Sequence, residues 1–389
     1  MSPPGMHEAL KAEPLLPPAC IGVIGGGQLG MMLVREARRM GYETIVWDPD
    51  PRCPAARVSG TAIAAPFDDA TAADRMAEGA DVITYEFENV DPQMVERLEG
   101  RKPLLPGSAI LRTARHRLRE KEELRARGFP TVRFAAARTR SEVREALRTV
   151  GLPSVVKTAT AGYDGKGQKV LEDEPSAERF LTSQIPPGAE YVVEEFVRLR
   201  TEISVLVLRS RNGEVRCFPP AENAHRENIL YRSVIPARIG SELTLRALAM
   251  GSDIIRSFSL TGLLCVEMFL THAGDLLVNE LAPRPHNSGH WSLDASTISQ
   301  FEGLVRVLCN LPVPEPGMLC PCGMLNILGR HMGKLDFPGL LSAEGVKLHL
   351  YGKHRVEPAR KMGHITVTGP SPEVVEERLA RIEAMLESS

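Results

Sequence analysis

The 389-residue chain lacks an excess of either charge, with 47 Lys and Arg set against 49 Asp and Glu. That balance removes the electrostatic case for non-specific nucleic-acid binding and for docking on an anionic membrane surface. No apolar run is long enough to span a bilayer, and glycines break the apolar piece near Ile21, so neither a membrane anchor nor a secretory signal is expected. The 7 cysteines are odd in number and irregularly spaced. Cys320 and Cys322 stand closer together than a zinc-knuckle pair, and no second pair accompanies them. No internal repeat is present. What remains is an ordinary globular composition, 43% hydrophobic and 25% charged, long enough for two or three domains. The expectation is a soluble, cytoplasmic enzyme or binding protein with reduced thiols.

Residues 1–18 are proline-rich and aperiodic, and are expected to form a disordered leader. Strand and helix signals then alternate: a strand Cys20–Ile24, a helix Gln28–Met40 with Leu29, Met32, Leu33 and Ala37 on one face, a strand Glu43–Trp47, and a strand Asp81–Phe87. This alternation predicts a parallel sheet in an α/β domain over 19–112. A charged helix, roughly Arg115–Arg127, ends at Gly128 and reads as a solvated surface. Beyond it come runs suited to antiparallel strands, including Ser154–Lys157, Gln168–Leu171, Tyr191–Glu195 and Glu202–Leu208. Pro312, Pro314 and Pro316 mark a linker before a small C-terminal domain.

Three constellations carry chemistry. Gly25-Gly26-Gly27-Gln28-Leu29-Gly30 fits a phosphate-approaching turn between strand and helix, with Asp48 at the end of the next strand as a ribose acceptor. The bland reading is a tight structural turn. Lys157 ends a strand and precedes the glycine-rich run Gly162-Tyr163-Asp164-Gly165-Lys166-Gly167, which suits a lid over a polyphosphate; a plain hairpin is the alternative. The third is a hairpin. A two-residue turn at Ala273-Gly274 would pair His272 with Asp275, and counting outward sets Glu267 opposite Glu280. Opposed carboxylates on one partly buried face need a shared proton or a cation, and an all-oxygen donor set suits Mg²⁺. The segment Pro283–Trp291 follows, gathering Arg284, His286, Asn287, Ser288 and His290, donors suited to a small oxyanion more than to zinc. Lys353, Arg360 and Lys361 cluster in the tail and, taken alone, read as solvated.

These motifs in this order resemble the ATP-grasp superfamily. More narrowly, they resemble its 5-(carboxyamino)imidazole ribonucleotide synthase family of purine biosynthesis. The resemblance runs from about residue 20 to the C-terminus and rests on Gly25 to Gly30, Thr84-Tyr85-Glu86-Phe87-Glu88-Asn89, Ala161 to Gln168, Asn279 to Trp291, and Gly352-Lys353 through Arg360 to His364. It implies an N-terminal α/β domain, a split ATP-grasp domain over 113–316 with a lid at about 130–197, and a C-terminal domain over 317–389. It implies ATP-dependent carboxylation of aminoimidazole ribonucleotide with bicarbonate through carboxyphosphate, with ATP and Mg²⁺ (Mn²⁺ as the alternative) and a homodimer as the assembly. Nucleotide contacts are implied at Arg117, Lys157, Gly162, Tyr163, Asp164, Gly165, Lys166, Gly167, Gln168, Glu194, Glu195, Phe196, Val197, Glu202, His225, Asn279 and Glu280. The metal carboxylates would be Glu267 and Glu280. Ribonucleotide contacts are implied at Gly27, Gln28, Leu29, Glu86, Tyr163, Asp164, Lys166, Lys353, Arg360 and Lys361. Arg284, His286 and Asn287, with Lys157, would serve bicarbonate and carboxyphosphate. His116 stands where the family commonly has an acidic residue, and Ala282 where superfamily relatives have Asn. Alternatives are a formate-dependent glycinamide ribonucleotide transformylase, a nicotinamide dehydrogenase resting on the glycine turn and Asp48, and a non-catalytic nucleotide-binding regulator.

Overall fold

The computed structural model describes residues 13–160, 167–182 and 188–387. The first layer is a parallel sheet of β1 (Cys20–Ile24), β2 (Glu43–Asp48), β3 (Thr61–Ala64) and β4 (Val82–Tyr85), in the order β3-β2-β1-β4. Its central strands are buried nearly end to end, as a sheet covered on both faces requires. Four helices flank it or follow it: α1 (Gln28–Arg39), α2 (Ala70–Gly79), α3 (Pro92–Glu99) and α4 (Ser108–Ala114). The expected apolar face of α1 is buried at Leu29, Met32, Leu33 and Ala37.

Residues 13–18 correct the expectation of a disordered leader that runs to residue 18. Leu15 packs on the core, its N–H donates to the Cys309 carbonyl at 2.9 Å, and its own carbonyl accepts from the Tyr42 hydroxyl at 2.7 Å. An apolar side chain with both backbone groups satisfied is pinned whatever the surrounding prolines suggest. Residues 1–12 lie outside the described residues.

After α5 (Arg117–Ala126) comes a small antiparallel sheet, ordered β5-β8-β6-β7, from β5 (Phe134–Ala137), β6 (Ser154–Thr158), β7 (Gln168–Leu171) and β8 (Tyr191–Glu195). Helices α6 (Arg140–Val150) and α7 (Glu174–Thr182) close its own core around Val143, Leu147, Val156 and Leu181.

The largest sheet has nine strands. It contains β9 (Leu199–Arg209), β10 (Val215–Cys217), β11 (Ala221–Arg226) and β12 (Ile229–Ile235), then, after α8 (Ser241–Ser257), β13 (Gly262–Thr271) and β14 (Leu276–Ala282). Helices α9 (Ser292–Ala295) and α10 (Gln300–Leu308) lead to β15 (Cys322–Leu328), α11 (Phe337–Ser342), β16 (Val346–Leu350), β17 (Lys361–Thr368) and α12 (Pro372–Glu387). The main order is β14-β13-β9-β11-β12-β15-β17-β16, with β10 on β9. The C-terminal strands therefore extend the sheet of β9 to β14 through the β12–β15 pairing. The ladder holds Lys361, the first residue of β17, opposite Leu328 of β15, while Lys353 and Arg360 lie in the connection between β16 and β17.

Candidate functional site

Glu267 does lie opposite Glu280, but by a different route from the expected one. The turn has three residues, with the Thr271 N–H donating to the Asp275 carbonyl at 3.0 Å, so Leu270 pairs with Leu276 and Met268 with Val278. A bulge at Asn279 then restores the register, so the two offsets cancel at the glutamates. Their exposure differs, against the expectation that both sit partly buried: Glu267 is buried and Glu280 exposed. Burial, reinforced by Glu280, pushes the Glu267 carboxyl up to about 8. His286 Nε2 lies 3.0 Å from Glu267 Oε1, and burial with the neighbouring Arg284 holds this imidazole well below the usual histidine range, hence neutral. Gln300 grips the His286 backbone from both sides, accepting its N–H and donating to its carbonyl at 2.8 Å each. His290 turns away, toward Gln300 and His364.

Arg284 Nε pairs with Glu88 at 2.8 Å, tying the donor loop to the N-terminal domain. Asn287 and Asn326 exchange reciprocal amide hydrogen bonds of 3.1 and 2.6 Å. The Asn287 side chain, expected at the oxyanion, is thus engaged in holding the loop on β15.

On the nucleotide side, α5 overturns its reading as a solvated helix. Glu120 and Lys121 are buried with Leu118 and Leu124. Lys121 Nζ lies 3.4 Å from Glu194 Oε1 and 3.4 Å from the Asn279 carbonyl; Lys157 Nζ lies 2.8 Å from Glu194 Oε2. Burial lowers the Lys121 ammonium and Glu194 opposes the shift; burial would raise Glu194, but the two lysines bring it below the ordinary carboxylate range. Glu120 accepts from the Leu281 N–H at 3.2 Å, and burial, with Glu280 nearby, pushes its carboxyl well up. Sequence reasoning missed both residues, because Arg and Glu on all sides of the helix mask an i, i+3, i+6 row of Leu118, Lys121 and Leu124.

The Arg117 guanidinium donates to the Thr158 carbonyl at 2.9 Å beside the start of the flap. His116 caps α5: its Nδ1 accepts the Arg119 N–H at 3.3 Å, and its Nε2 pairs with Glu190 at 2.9 Å. Glu195 pairs with Arg133 at 2.7 Å, and Phe196 is exposed in the turn between β8 and β9. Glu202 lies 3.0 Å from His225 Nδ1; burial disfavours the imidazolium, Glu202 outweighs it, and the histidine is raised. Gln168 donates to Asn228 at 2.8 Å. Gly162, Tyr163, Asp164, Gly165 and Lys166 lie outside the described residues.

The glycine turn is occupied from within the chain. Glu86 accepts from the N–H groups of Gly27 and Gly30, and Asp48 accepts from Gly26 and Asp50 at 2.8 Å each. The chain's own carboxylates fill the amides that a dinucleotide pyrophosphate would need, and Asp48 is committed to backbone. That removes the dehydrogenase reading's support. Beside the turn, Gly27, Gln28, Asp48, Asp50, Cys53, Lys353, His354 and Arg360 line a cleft of about 180 Å³. Leu29 is buried in the core and Glu86 is committed to the turn, so neither is among its lining residues. Lys353 donates to the Lys361 carbonyl at 2.8 Å, while the Lys361 charge acts on Glu267 and His225.

Known proteins resemble the chain in sequence and fold. A family model described as the ribonucleotide synthetase preATP-grasp domain matches residues 19–115. The ATP-grasp domain matches 122–301, and the phosphoribosylaminoimidazole carboxylase C-terminal domain matches 322–378. The chain is 40% identical over 369 residues to the N5-carboxyaminoimidazole ribonucleotide synthase of Bacillus subtilis (strain 168), covering 95% of this chain and 96% of that one. The Staphylococcus aureus N5-carboxyaminoimidazole synthetase complexed with ADP superimposes with a TM-score of 0.90 at 34% identity, over 96% of this chain and 99% of that one. The Aspergillus clavatus synthase in complex with ADP and 5-aminoimidazole ribonucleotide gives 0.86 at 27% identity, over 95% and 99%.

Proposed function

The chain belongs to the N5-carboxyaminoimidazole ribonucleotide synthase family of ATP-grasp ligases, and from that premise we propose how its residues carboxylate aminoimidazole ribonucleotide at the expense of ATP. One observation carries the assignment of parts. A run of contacts leads from Lys157 through Glu194 and Lys121 to the bulge beside Glu280, across to Glu267, and on to His286. Nucleotide end, paired carboxylates and oxyanion donors thus form one continuous site.

The adenine end falls to the Glu194–Val197 turn and the ribose to Glu202 with His225. Arg117 and Lys157 offset phosphate charge. A divalent cation fits the carboxylate pair, because a buried carboxyl raised by its neighbour is relieved by a counter-charge. Glu267 and Glu280 would hold Mg²⁺, or alternatively Mn²⁺, and the bound ion would neutralise charge on the phosphates. Bicarbonate is oriented by Arg284 and attacks the γ-phosphoryl group, giving carboxyphosphate and ADP. The exocyclic amine of the ribonucleotide then attacks the carboxyl carbon, and phosphate leaves. The departing phosphate takes up the amine's proton, and His286, fixed by Gln300 and Ser288, orients the carboxyphosphate. Lys353 and Arg360, across the cleft from Gly27 and Gln28, grip the ribonucleotide phosphate. The working assembly is a homodimer in the cytoplasm, which sizing by light scattering and cell fractionation test.

Phosphate release, assayed with bicarbonate and aminoimidazole ribonucleotide omitted in turn, is expected to require both for full turnover. Turnover sustained by formate in place of bicarbonate would instead make the chain a transformylase.

A further inference from the structure

We propose that Lys121 is a positioning residue for the nucleotide, sharing the Glu194 carboxylate so that the Lys157 ammonium keeps charge for the phosphates. The inference rests on the nucleotide reading of this site and extends it to a residue that touches no substrate. Glu194 is contacted on both oxygens, by Lys157 at 2.8 Å on one and by Lys121 at 3.4 Å on the other. Lys121 and Glu194 are almost wholly enclosed, at 2% and 3% side-chain exposure, whereas Lys157 reaches outward at 13%. Two lysines share one carboxylate here, and the more exposed of them is the one able to present charge to a ligand. Without Lys121 the cluster becomes a closed neutral pair, and Glu194 holds Lys157 alone. In a poorly solvated site that loss falls directly on an anionic ligand.

The same side chain has a second hold. It donates to the Asn279 carbonyl, while its neighbour Glu120 accepts from the Leu281 N–H. Consecutive residues of α5 thus clasp the backbone on both sides of Glu280, at the bulge that brings this carboxylate opposite Glu267. Lys121 therefore ties the phosphate lysine, the adenine turn and the carboxylate hairpin to one helix.

ADP binding by titration calorimetry on the full chain tests this, with ATP and ribonucleotide KM values beside it. Lys121→Met is expected to weaken ADP at least about tenfold and to raise the ATP KM in parallel, leaving the ribonucleotide KM within about twofold. In a Glu194→Gln background, where no carboxylate remains to capture Lys157, the same change is expected to weaken ADP by less than about threefold. Equal losses in both backgrounds, or a rise in both KM values together, would overturn the proposal. The double variant removes the Lys121 charge together with the carboxylate it shares. Should Lys121→Met alone fail to fold, its ADP affinity relative to Glu194→Gln decides: within threefold supports the proposal, and a larger loss overturns it. A parent protein that binds no ADP would instead overturn the nucleotide reading itself.

Discussion

The glycine turn at 25–30 and the hairpin at 262–282 both looked like ion-binding devices, yet they end in opposite electrostatic states. In the turn, the amides of Gly26, Gly27 and Gly30 are met by the carboxylates of Asp48 and Glu86. These carboxylates answer the turn from within the chain, and it forms one wall of the neighbouring cleft. In the hairpin, two carboxylates oppose one another and a buried one is pushed up to about 8. Under the proposed function a cation would meet the hairpin's demand for a counter-charge. A motif acts on ligands where the fold leaves its charges unsatisfied, and becomes scaffold where the fold answers them.

The sharpest way to break this contrast is Glu280→Gln. Turnover of ATP is expected to fall by at least about a hundredfold with the circular dichroism spectrum unchanged, since an exposed carboxylate contributes little to packing; undiminished turnover would sink the metal assignment. Next is Lys353→Ala on the cleft wall. The ribonucleotide KM is expected to rise by roughly tenfold or more with the ATP KM unaltered, as befits a lost charge-assisted contact. A change confined to the ATP KM would show the tail assigned to the wrong substrate.

Glu86→Gln should act on the turn in the other direction, on stability rather than chemistry. Losing a carboxylate that accepts two buried backbone N–H groups is expected to lower unfolding free energy by about 1–3 kcal/mol in urea titrations. The smallest effect is pH-linked. The Glu267 carboxyl is raised on folding, so its contribution to stability is present below its unfolded pKa near 4.5 and is lost as pH rises toward about 8. With divalent ions chelated, the parent should therefore lose stability across that window and Glu267→Gln should lose less. Added Mg²⁺ with ADP should release protons, which calorimetry in buffers of different ionisation enthalpy will register.

Much of the fold was legible because periodicity and punctuation are local. The strand at 20–24, the helix after it and the strands flanking the flap lie close to where alternation and glycines placed them. The carboxylate pair was also legible, though by cancellation. A shorter assumed turn and an unseen bulge at Asn279 offset one another, and neither leaves a distinctive residue pattern. Lys121 and Glu120 were not legible, since a charged residue between charged neighbours on a helix gives no sign of which side meets the core. Leu15 was hidden in the same way by the prolines around it.

Sequence alone determined the kinds of element, the order of the motifs and the identity of the chemical groups, because these follow from residue type and short-range spacing. Tertiary structure alone decided which charges are answered. Glu86 meets amides about sixty residues away, Lys121 meets Glu194 and the Asn279 carbonyl, and Arg284 meets Glu88 across domains. Whether a carboxylate becomes a cap, a counter-ion or a metal ligand depends on what the folded chain brings to within hydrogen-bonding distance, and no local pattern encodes that.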